Sequence, residues 1–337
     1  MHRTIALLLP LLVLLVLTWG HEPSPPPATD LRVRFVRLAL PPREKLAPYL
    51  GPFRLEAGWR IESGHYLASG FSSMVPQPDG RILAFSDAGG YMRFSPPPGA
   101  GERAPQVGWI NFRPKRPAPL YRDVESVAHD PATGRYWLGI EGRNEIVRTD
   151  AKLVKTDQVA PAALAEWGKN SGSEAMLRLG DGRFVVIRET TLSFLDSRLH
   201  EAVLFAGDPI AHPDGRKFLF EAPDNFSVVD MALLPDGRAL ILMRRLLWPL
   251  PMRFAGRIAV ADPARIRPGQ VWRSTPVASL ASILPIDNFE AIGVEAGPAG
   301  SETTGRVTVW LMSDDNHMRV LQRTLLWKLS VDPRQLP

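Results

Sequence analysis

The chain has 337 residues, 45% apolar and 22% charged, which is the composition of a globular protein with a substantial core. It contains no cysteine, and this excludes disulfides, a cysteine nucleophile, thiolate metal sites and a lipid-modified N-terminal cysteine. The formal net charge of +5 comes without any run of five or more basic residues, so nucleic-acid binding has no support.

The first 20 residues are predicted to form an export signal or an N-terminal anchor. His2 and Arg3 precede the largely apolar run 5–17, and Thr18 and Gly20 only approximate a signal-peptidase site. The run is shorter than the roughly 20 residues of a membrane span. Residues 21–30 follow as an extended proline-rich linker. We therefore expect a periplasmic or secreted protein, which residues 4–19 hold at the membrane if the signal is not cleaved.

Beyond residue 30 the chain consists mainly of short apolar or alternating runs separated by Asp-Gly turns. The runs 81–85, 183–187 and 238–242 each follow such a turn directly. Asp-Gly supplies the positive φ angles that tight hairpins need, so each turn predicts a strand–turn–strand unit. Helical periodicity is confined to residues 160–167 and 277–284.

These hairpins repeat along the chain. Five are visible, and they recur every 49 to 60 residues, which matches propeller blades of roughly 40–50 residues with longer loops. About 300 residues of mature chain then correspond to between five and six blades. The sequence therefore predicts an all-β domain over residues 31–337, a single β-propeller with six blades. Residues 31–38 and 324–331 are expected to form the sixth blade together and to close the ring.

Each repeat places one polar residue at the start of a strand and a second at the end of the next strand. The first set is Ser73, Glu125, Glu174, Asp230 and Glu290. The second set is Asp87, Glu141, Glu189, Arg244 and Asp314. Equivalent positions of all blades meet around the axis of a propeller. We therefore expect these side chains to converge at one mouth of the central channel.

Crowded carboxylates repel one another unless a cation or protons neutralise them. Oxygen ligands from several blades suit Ca²⁺, which takes six to eight of them. The expected metal ligands are Asp87, Glu141, Glu189, Asp314 and Asp315. The alternative is that the acidic residues cap strands or form structural ion pairs with Arg143, Arg148, Arg188 and Arg245.

The sequence lacks the motifs of several standard chemistries. It has no Gly-x-Ser-x-Gly segment for an α/β-hydrolase nucleophile and no paired-histidine zinc spacing. It also has no glycine loop of the Walker or Rossmann type. No organic cofactor is therefore expected.

The order and spacing of several segments resemble the family known as "esterase-like activity of phytase". These segments are GFSSM at 70–74, DVESV at 123–127, NSGSEA at 170–175, DNFEAI at 287–292, SDDN at 313–316 and QRTLL at 322–326. Two positions depart from the family pattern: Met243 stands where a carboxylate is usual, and His317 where an aromatic residue is usual. The resemblance implies a propeller fold and hydrolysis of phosphate or carboxylate esters with Ca²⁺.

Two functions stay open at this point. The first is a metal-dependent ester hydrolase acting on a small anionic substrate. Its expected catalytic residues are Glu125, Glu174, Glu290 and His317, and its expected substrate-binding residues are Arg143, Arg188 and Arg323. The second is a non-catalytic ligand- or protein-binding propeller of the cell envelope, which the apolar loop 246–252 favours. Membrane contact is expected only through the N-terminal segment, and the oligomeric state is open.

Overall fold

The short apolar runs between Asp-Gly turns form the strands of a β-propeller. The structure, a computed structural model, describes residues 32–99, 103–115, 122–168, 172–193, 196–223, 225–249, 252–281, 283–295, 305–318 and 321–337. In this part of the chain, 22 strands form five sheets of four or five strands each. The prediction of a single all-β propeller is confirmed, and the prediction of six blades is wrong. The predicted signal and linker lie outside the described residues.

Each sheet is one blade, running from an innermost strand at the channel to an outer edge. The first two strands along the chain, β1 (Val33–Arg37) and β2 (Arg54–Ser63), belong to the last blade. Blade one contains β3 (Phe71–Pro76), β4 (Ile82–Ser86), β5 (Gly90–Phe94) and β6 (Gln106–Trp109). Blade two contains β7 (Val124–Asp130), β8 (Arg135–Ile140), β9 (Glu145–Thr149) and β10 (Lys155–Val159).

The remaining blades include longer strands. Blade three contains β11 (Ser173–Arg178), β12 (Phe184–Ser193), β13 (Asp196–Phe205), β14 (Arg216–Glu221) and, from further along the chain, β18 (Val271–Arg273). Blade four contains β15 (Ser227–Leu233), β16 (Ala239–Pro249), β17 (Met252–Ala261) and β19 (Thr275–Leu280). Blade five contains β20 (Asn288–Glu295), β21 (Val307–Asp314) and β22 (Leu325–Val331), followed outward by β2 and β1.

Apolar side chains fill the interfaces between neighbouring blades. The innermost strands β3, β7, β11, β15 and β20 each contact the innermost strands of both neighbours, which closes the ring. Among the described residues, one large buried cluster lies at each of the five interfaces. Phe85 and Leu138, for example, belong to the cluster between blades one and two. Burial from both sides explains why the runs 184–187 and 239–243 are continuously apolar instead of alternating.

The fifth blade combines both ends of the chain. The last strand, β22, pairs with β21 on one side and with β2 on the other. The terminal strands therefore close the ring, as expected, but they complete blade five instead of forming a sixth. The residues that the length estimate assigned to another blade lie in long hairpins, since β12, β13, β16 and β17 have 10 or 11 residues each. Strand β18 adds a fifth, parallel strand to blade three.

Helical structure is short. The helix α1 (Arg43–Leu50) connects β1 to β2 and buries Leu46 and Leu50 in the cluster between blades four and five. The predicted helix over 160–167 is reduced to the 3-10 turn Ala162–Leu164. The predicted helix over 277–284 is wrong, because the first half of this segment belongs to β19, which pairs with β17. In the described part of the chain, no helix is long and apolar enough to span a membrane.

A β-bulge recurs near the start of the innermost strand in all five blades. The pairing of the first strand with the second skips one residue, namely Ser72, Glu125, Glu174, Val229 and Glu290. A bulge bends the strand and changes the direction of its side chain. The sequence comparison aligned Ser73 and Asp230 with the three glutamates, and the observed register corrects both by one residue. We call the face of the ring on which the bulges lie the site face.

Candidate active site

Eight carboxylates gather at the channel mouth on the site face, and we call this group the acidic mouth. It comprises Asp87, Asp123, Glu125, Glu141, Glu174, Glu189, Glu290 and Asp314. Three of them are bulge residues, three directly follow or end the second strand of their blade, and Glu189 lies within the second strand of blade three. Their charges act on one another's pKa values across blade boundaries. The equivalent positions of separate blades therefore converge, as the repeat pattern indicates.

Blade two provides the tightest group of acidic oxygens. One oxygen each from Asp123, Glu125 and Glu141 lies within 4.8 Å of the other two. Burial raises the pKa of Glu125 well above its usual range, and the charges of Glu174 and Asp123 raise it further. Three carboxylate oxygens at this separation form a hard donor set, which suits a divalent cation such as Ca²⁺. The residues present therefore fit a metal centre, with Asp123 in place of several of the predicted ligands.

Glu141 and Glu174 form a hydrogen-bonded carboxyl pair between blades two and three. Burial and the charge of Asp123 raise the pKa of Glu141 to about 7, although the Gly172 N–H, 3.3 Å away, and the bond to Glu174 oppose the shift. Burial and the charges of Glu189 and Glu141 raise the pKa of Glu174 well above its usual range. A carboxyl group that titrates near neutral pH is suited to general acid–base chemistry.

Arg244 is the central cation of the acidic mouth. One Nη2 atom lies 3.2 Å from an oxygen of Glu189 and 3.2 Å from an oxygen of Glu290. Its Nη1 donates to the Asn288 Oδ1 at 3.1 Å, and Asn288 in turn donates to Glu290 at 2.6 Å. Burial alone lowers the pKa of the guanidinium, but the carboxylates of Glu290 and Glu189 more than offset this and raise it. Arg244 is therefore a built-in counterion for this side of the mouth.

The fifth blade adds Asp314, which is buried beside Glu290. Burial and the charges of Glu290 and Asp87 raise the pKa of Asp314 well above its usual range. Burial also raises the pKa of Glu290, although Arg244 opposes the shift. Burial and mutual repulsion therefore favour the protonated forms of Asp314 and Glu290, and a further bound cation would oppose this effect.

His317 and Asp315 lie at the edge of the mouth. The imidazole of His317 stacks on Tyr66 with ring centroids 4.5 Å apart, and its Nε2 is 3.1 Å from Asp87 Oδ1. The carboxylate of Asp315 accepts hydrogen bonds from Ser69, from the Gly70 N–H and from Thr324. Both groups thus hold the β21–β22 loop to its neighbours, while Asp87 is the one that faces the other carboxylates.

The three arginines expected to bind substrate differ in their surroundings. The Arg143 side chain is 65% exposed in the turn after Glu141, and its nearest carboxylate oxygen, on Glu145, is 4.0 Å away. Arg188 pairs with Glu201 at 3.1 Å, and Arg323 pairs with Asp287 at 3.2 Å. Arg143 therefore has the greatest freedom to reach a bound anion.

Sequence reasoning missed one member of the site, Asp123, and the role of another, Arg244. Asp123 stands two residues before Glu125 and just ahead of β7, so the repeat alignment did not include it. Arg244 was aligned with the carboxylates of the second set, but its role as their counterion depends on contacts between blades. The spacing of Asp123 and Glu125 was itself a signal for the first, because two carboxylates so close in sequence lie beside a bulge that changes the direction of the Glu125 side chain.

The opposite mouth of the channel is apolar. A cavity of about 760 Å³ opens there, and its lining includes Met74, Met176, Met231 and Ile292. A smaller cavity of about 540 Å³ opens beside the acidic mouth, between Glu189, Arg244, Arg245 and Leu247. The larger cavity is also lined by His129, Arg178 and Glu295, but its lining contains no group of neighbouring carboxylates. The chemistry therefore favours the acidic mouth as the functional site.

Several solved structures with similar folds are distant in sequence. A nidogen/laminin complex has a TM-score of 0.43 and 11% identity, covering 89% of this chain and 98% of that one. A putative oxidoreductase (glucose dehydrogenase) from Thermus thermophilus has a TM-score of 0.40 and 12% identity, covering 77% and 96%. Hydrazine synthase from Kuenenia stuttgartiensis has a TM-score of 0.39 and 9% identity, and the match covers 74% of this chain but only 57% of that one.

No curated protein matches the chain. A family model does match, and its description is phytase-like, esterase-like activity of phytase, over residues 67–317. This range contains all five bulges and every carboxylate of the acidic mouth. The chain therefore belongs to the phytase-like family described as "esterase-like activity of phytase".

Proposed function

We propose that the protein is an exported hydrolase that cleaves phosphate or carboxylate esters at the acidic mouth. The observation that carries this proposal is the hydrogen-bonded pair of Glu141 and Glu174, with a carboxyl pKa of about 7 beside the cation Arg244. Family membership supports the same class of reaction. A small ester with an anionic group is the expected substrate.

The residues of the mouth divide the work of such a reaction. Glu141 takes a proton from the attacking water and returns a proton to the leaving oxygen, because its pKa lies close to the working pH. Glu174 holds Glu141 in position and shares its proton. Arg244, held by Glu189 and Glu290, places a fixed positive charge beside the developing negative charge of the ester. Arg143 binds the substrate anion from the exposed turn.

A divalent cation fits beside these groups. Asp123 and Glu125 are the residues that would hold it, with Glu141 beside them as the acid–base group, and Ca²⁺ is the candidate because these donor atoms are carboxylate oxygens. When bound, such an ion polarises an ester oxygen and lowers the pKa of a coordinated water. It also relieves the repulsion that raises the pKa of Glu125.

The experiment is an assay of 4-nitrophenyl phosphate and 4-nitrophenyl acetate with the full chain in EDTA, Ca²⁺ or Mg²⁺. We expect turnover of at least one ester, stimulated by Ca²⁺. Glu141→Gln and Glu174→Gln should each lower kcat about 100-fold or more. Asp181→Asn is the matched control, because Asp181 lies in an exposed turn at the opposite end of the innermost hairpin of blade three and pairs with Arg183 beside it. Loss of activity in the control as well would remove the assignment.

The second candidate is a non-catalytic binding propeller of the cell envelope. The ion pairs of Arg244 with Glu189 and Glu290 favour it, because a satisfied network can be structural. Under this alternative, Ca²⁺ and anions bind the purified protein in calorimetric titrations, but neither ester is turned over. Turnover that survives both glutamate substitutions would also favour it, since a contaminant would then be responsible.

A further inference from the structure

The exposed large apolar side chains of the described residues lie mainly on one face of the propeller. Leu192, Leu246, Leu247, Ile283 and Leu321 have exposed fractions between 39% and 50%. All five belong to hairpins or loops at the site face, in the segments β12–β13, β16–β17, β19–β20 and β21–β22. The remaining one, Tyr49, lies in α1, which connects β1 to β2 at the opposite face. Apolar exposure is therefore confined almost entirely to the rim of blades three to five.

The β16–β17 hairpin extends beyond this rim. Its pairing continues from Arg244 opposite Gly256 to Pro249 opposite Met252. Five residues of β16 thus extend past the acidic mouth, which corresponds to about 17 Å of strand. Leu246 and Leu247 lie on this extension, so the hairpin presents apolar side chains well away from the body of the ring.

Two arginines flank these leucines. The Arg245 guanidinium lies 4.9 Å from the centre of the Phe226 ring, and Arg253 is exposed on the returning strand. Within the described residues, neither forms an ion pair with a carboxylate. Cationic side chains beside exposed leucines are the composition of a surface that binds anionic lipids.

The N-terminal part of the chain reaches the propeller at the same face. Val33, the first residue of β1, pairs with Ser63, the last residue of β2, and the β2 residue Arg60 pairs with Leu325 where β22 begins. The strand β22 starts at the site face, since it follows Asp314 of the acidic mouth. The apolar run 5–17 therefore precedes a strand that begins on this face, in blade five.

We propose that the site face docks on a lipid bilayer that carries anionic headgroups. The five exposed apolar side chains of blades three to five are then inserted into the bilayer. These side chains come from four separate loops and do not form one groove, and a bilayer can accept such scattered side chains at once. Arg245 and Arg253 then lie at headgroup depth. Docking in this orientation places the acidic mouth at the membrane surface, where the substrate of the proposed hydrolase would have to be presented.

The lack of cysteine makes this orientation directly measurable in the full chain. Leu247→Cys, Leu321→Cys and Tyr49→Cys variants are each labelled with nitrobenzoxadiazole and mixed with vesicles of phosphatidylcholine and phosphatidylglycerol. We expect the emission at positions 247 and 321 to rise about threefold on transfer to the bilayer, and emission at position 49 to stay constant. Spin-labelled lipids should quench only the first two.

The second measurement tests whether the positive charge of Arg253 contributes to vesicle binding. Arg253→Gln in the Leu247→Cys background should weaken vesicle binding about fivefold, and added salt should weaken it further. Co-sedimentation without an emission change at position 247 would mean that the N-terminal run alone binds, and this overturns the proposal. Equal changes at all three positions, no vesicle binding, or a response at position 247 only to an added protein would overturn it as well. None of these outcomes depends on ester turnover, so the hydrolase assignment is tested separately.

Discussion

Asp230 of blade four accepts a hydrogen bond from the backbone N–H of Ile292 in blade five, at 2.9 Å. Its other oxygen accepts from the Met231 N–H at 2.8 Å, and Ser73 of blade one lies 3.5 Å away. Asp230 thus joins three blades across the middle of the channel. Burial raises its pKa well above the usual range, although these hydrogen bonds oppose the shift. This residue separates the acidic half of the channel from the apolar half.

Replacement of Asp230 should therefore destabilise the ring. We expect Asp230→Ala to lower the free energy of unfolding by about 2–3 kcal/mol, because the Ile292 N–H is left buried without an acceptor. Urea unfolding measures the change. Asp181→Ala, at an exposed turn, should cost less than about 1 kcal/mol. A similar loss in both variants would contradict the joining role of Asp230.

Removing the guanidinium of Arg244 should lower the free energy of unfolding more than Asp230→Ala does, and the size of this loss should depend on pH. Arg244→Met leaves Glu189 and Glu290 without their counterion, so we expect a loss of about 3–5 kcal/mol at pH 8. The loss should shrink at pH 5, because the raised pKa of Glu290 and of Glu174 lets both groups protonate. Arg183→Met, which breaks an exposed pair with Asp181, is the control for removing an arginine. A pH-independent loss in Arg244→Met would exclude this electrostatic explanation.

Glu141 should make the stability of the metal-free protein depend on pH. The pKa of Glu141 is about 7 in the folded state, above the ordinary 4.5, so the folded protein binds the proton more tightly. Its stabilising contribution is complete below about pH 4.5 and is lost as the pH rises through 7, with a total on the order of 3 kcal/mol. Melting curves of the wild type and Glu141→Gln between pH 5 and 8 measure the difference. Parallel curves would show that Glu141 does not titrate in this range.

Binding of Ca²⁺ should oppose the protonation of Glu141 and so change how the stability depends on pH. The ion competes with protons for Asp123 and Glu125, and its charge also favours the ionised form of Glu141 beside them, so it should raise the melting temperature at pH 8 more than at pH 5. Asp123→Asn should abolish most of this rise, whereas Asp181→Asn should leave it intact. A rise that is independent of pH and survives Asp123→Asn would place the cation elsewhere.

The substitution His317→Phe distinguishes two roles of the imidazole. Phenylalanine keeps the stacking on Tyr66 but removes the hydrogen bond to Asp87, so we expect a loss of about 1 kcal/mol in stability. Activity should fall only a few-fold, since the ring is held by Tyr66 and Asp87 at the edge of the mouth. The general-base role expected from the sequence requires instead a drop in kcat of about 100-fold. The pH–rate profile of the variant separates the two.

The hairpins could be predicted from the sequence, and so could the end of the blades at which the polar residues gather. Asp-Gly turns such as Asp181-Gly182 and Asp236-Gly237 have a local cause, because glycine adopts a positive φ there. The glutamates at 125, 174 and 290 were found because the repeat places each of them at the same step of its blade. Turn chemistry and the spacing of repeats can both be recognised in the amino-acid sequence alone.

The number of blades and the partners of Arg244 could not be read in this way. Length alone does not distinguish a sixth blade from long hairpins such as β16–β17 and an added strand such as β18. The bulge register depends on the strand opposite, so Val229 and Asp230 could not be told apart as the equivalent of Glu174. Arg244 contacts Glu189 and Glu290 only after blades three, four and five have been brought together.

The pairing of β2 with β22 sets the order in which the ring can be completed. Residues 54–60 find their partners at 325–330, near the far end of the chain. During synthesis, β1 and β2 are made first, and the edge of β2 stays without its partner β22 until the four blades between them have been made. In a chain that stops before β22, the strands β1 and β2 therefore have no attachment to blade five. The free edge of this N-terminal hairpin is then available for pairing with other chains. Since β22 joins β2 to β21, the ring can close only after the chain has been synthesised as far as residue 331.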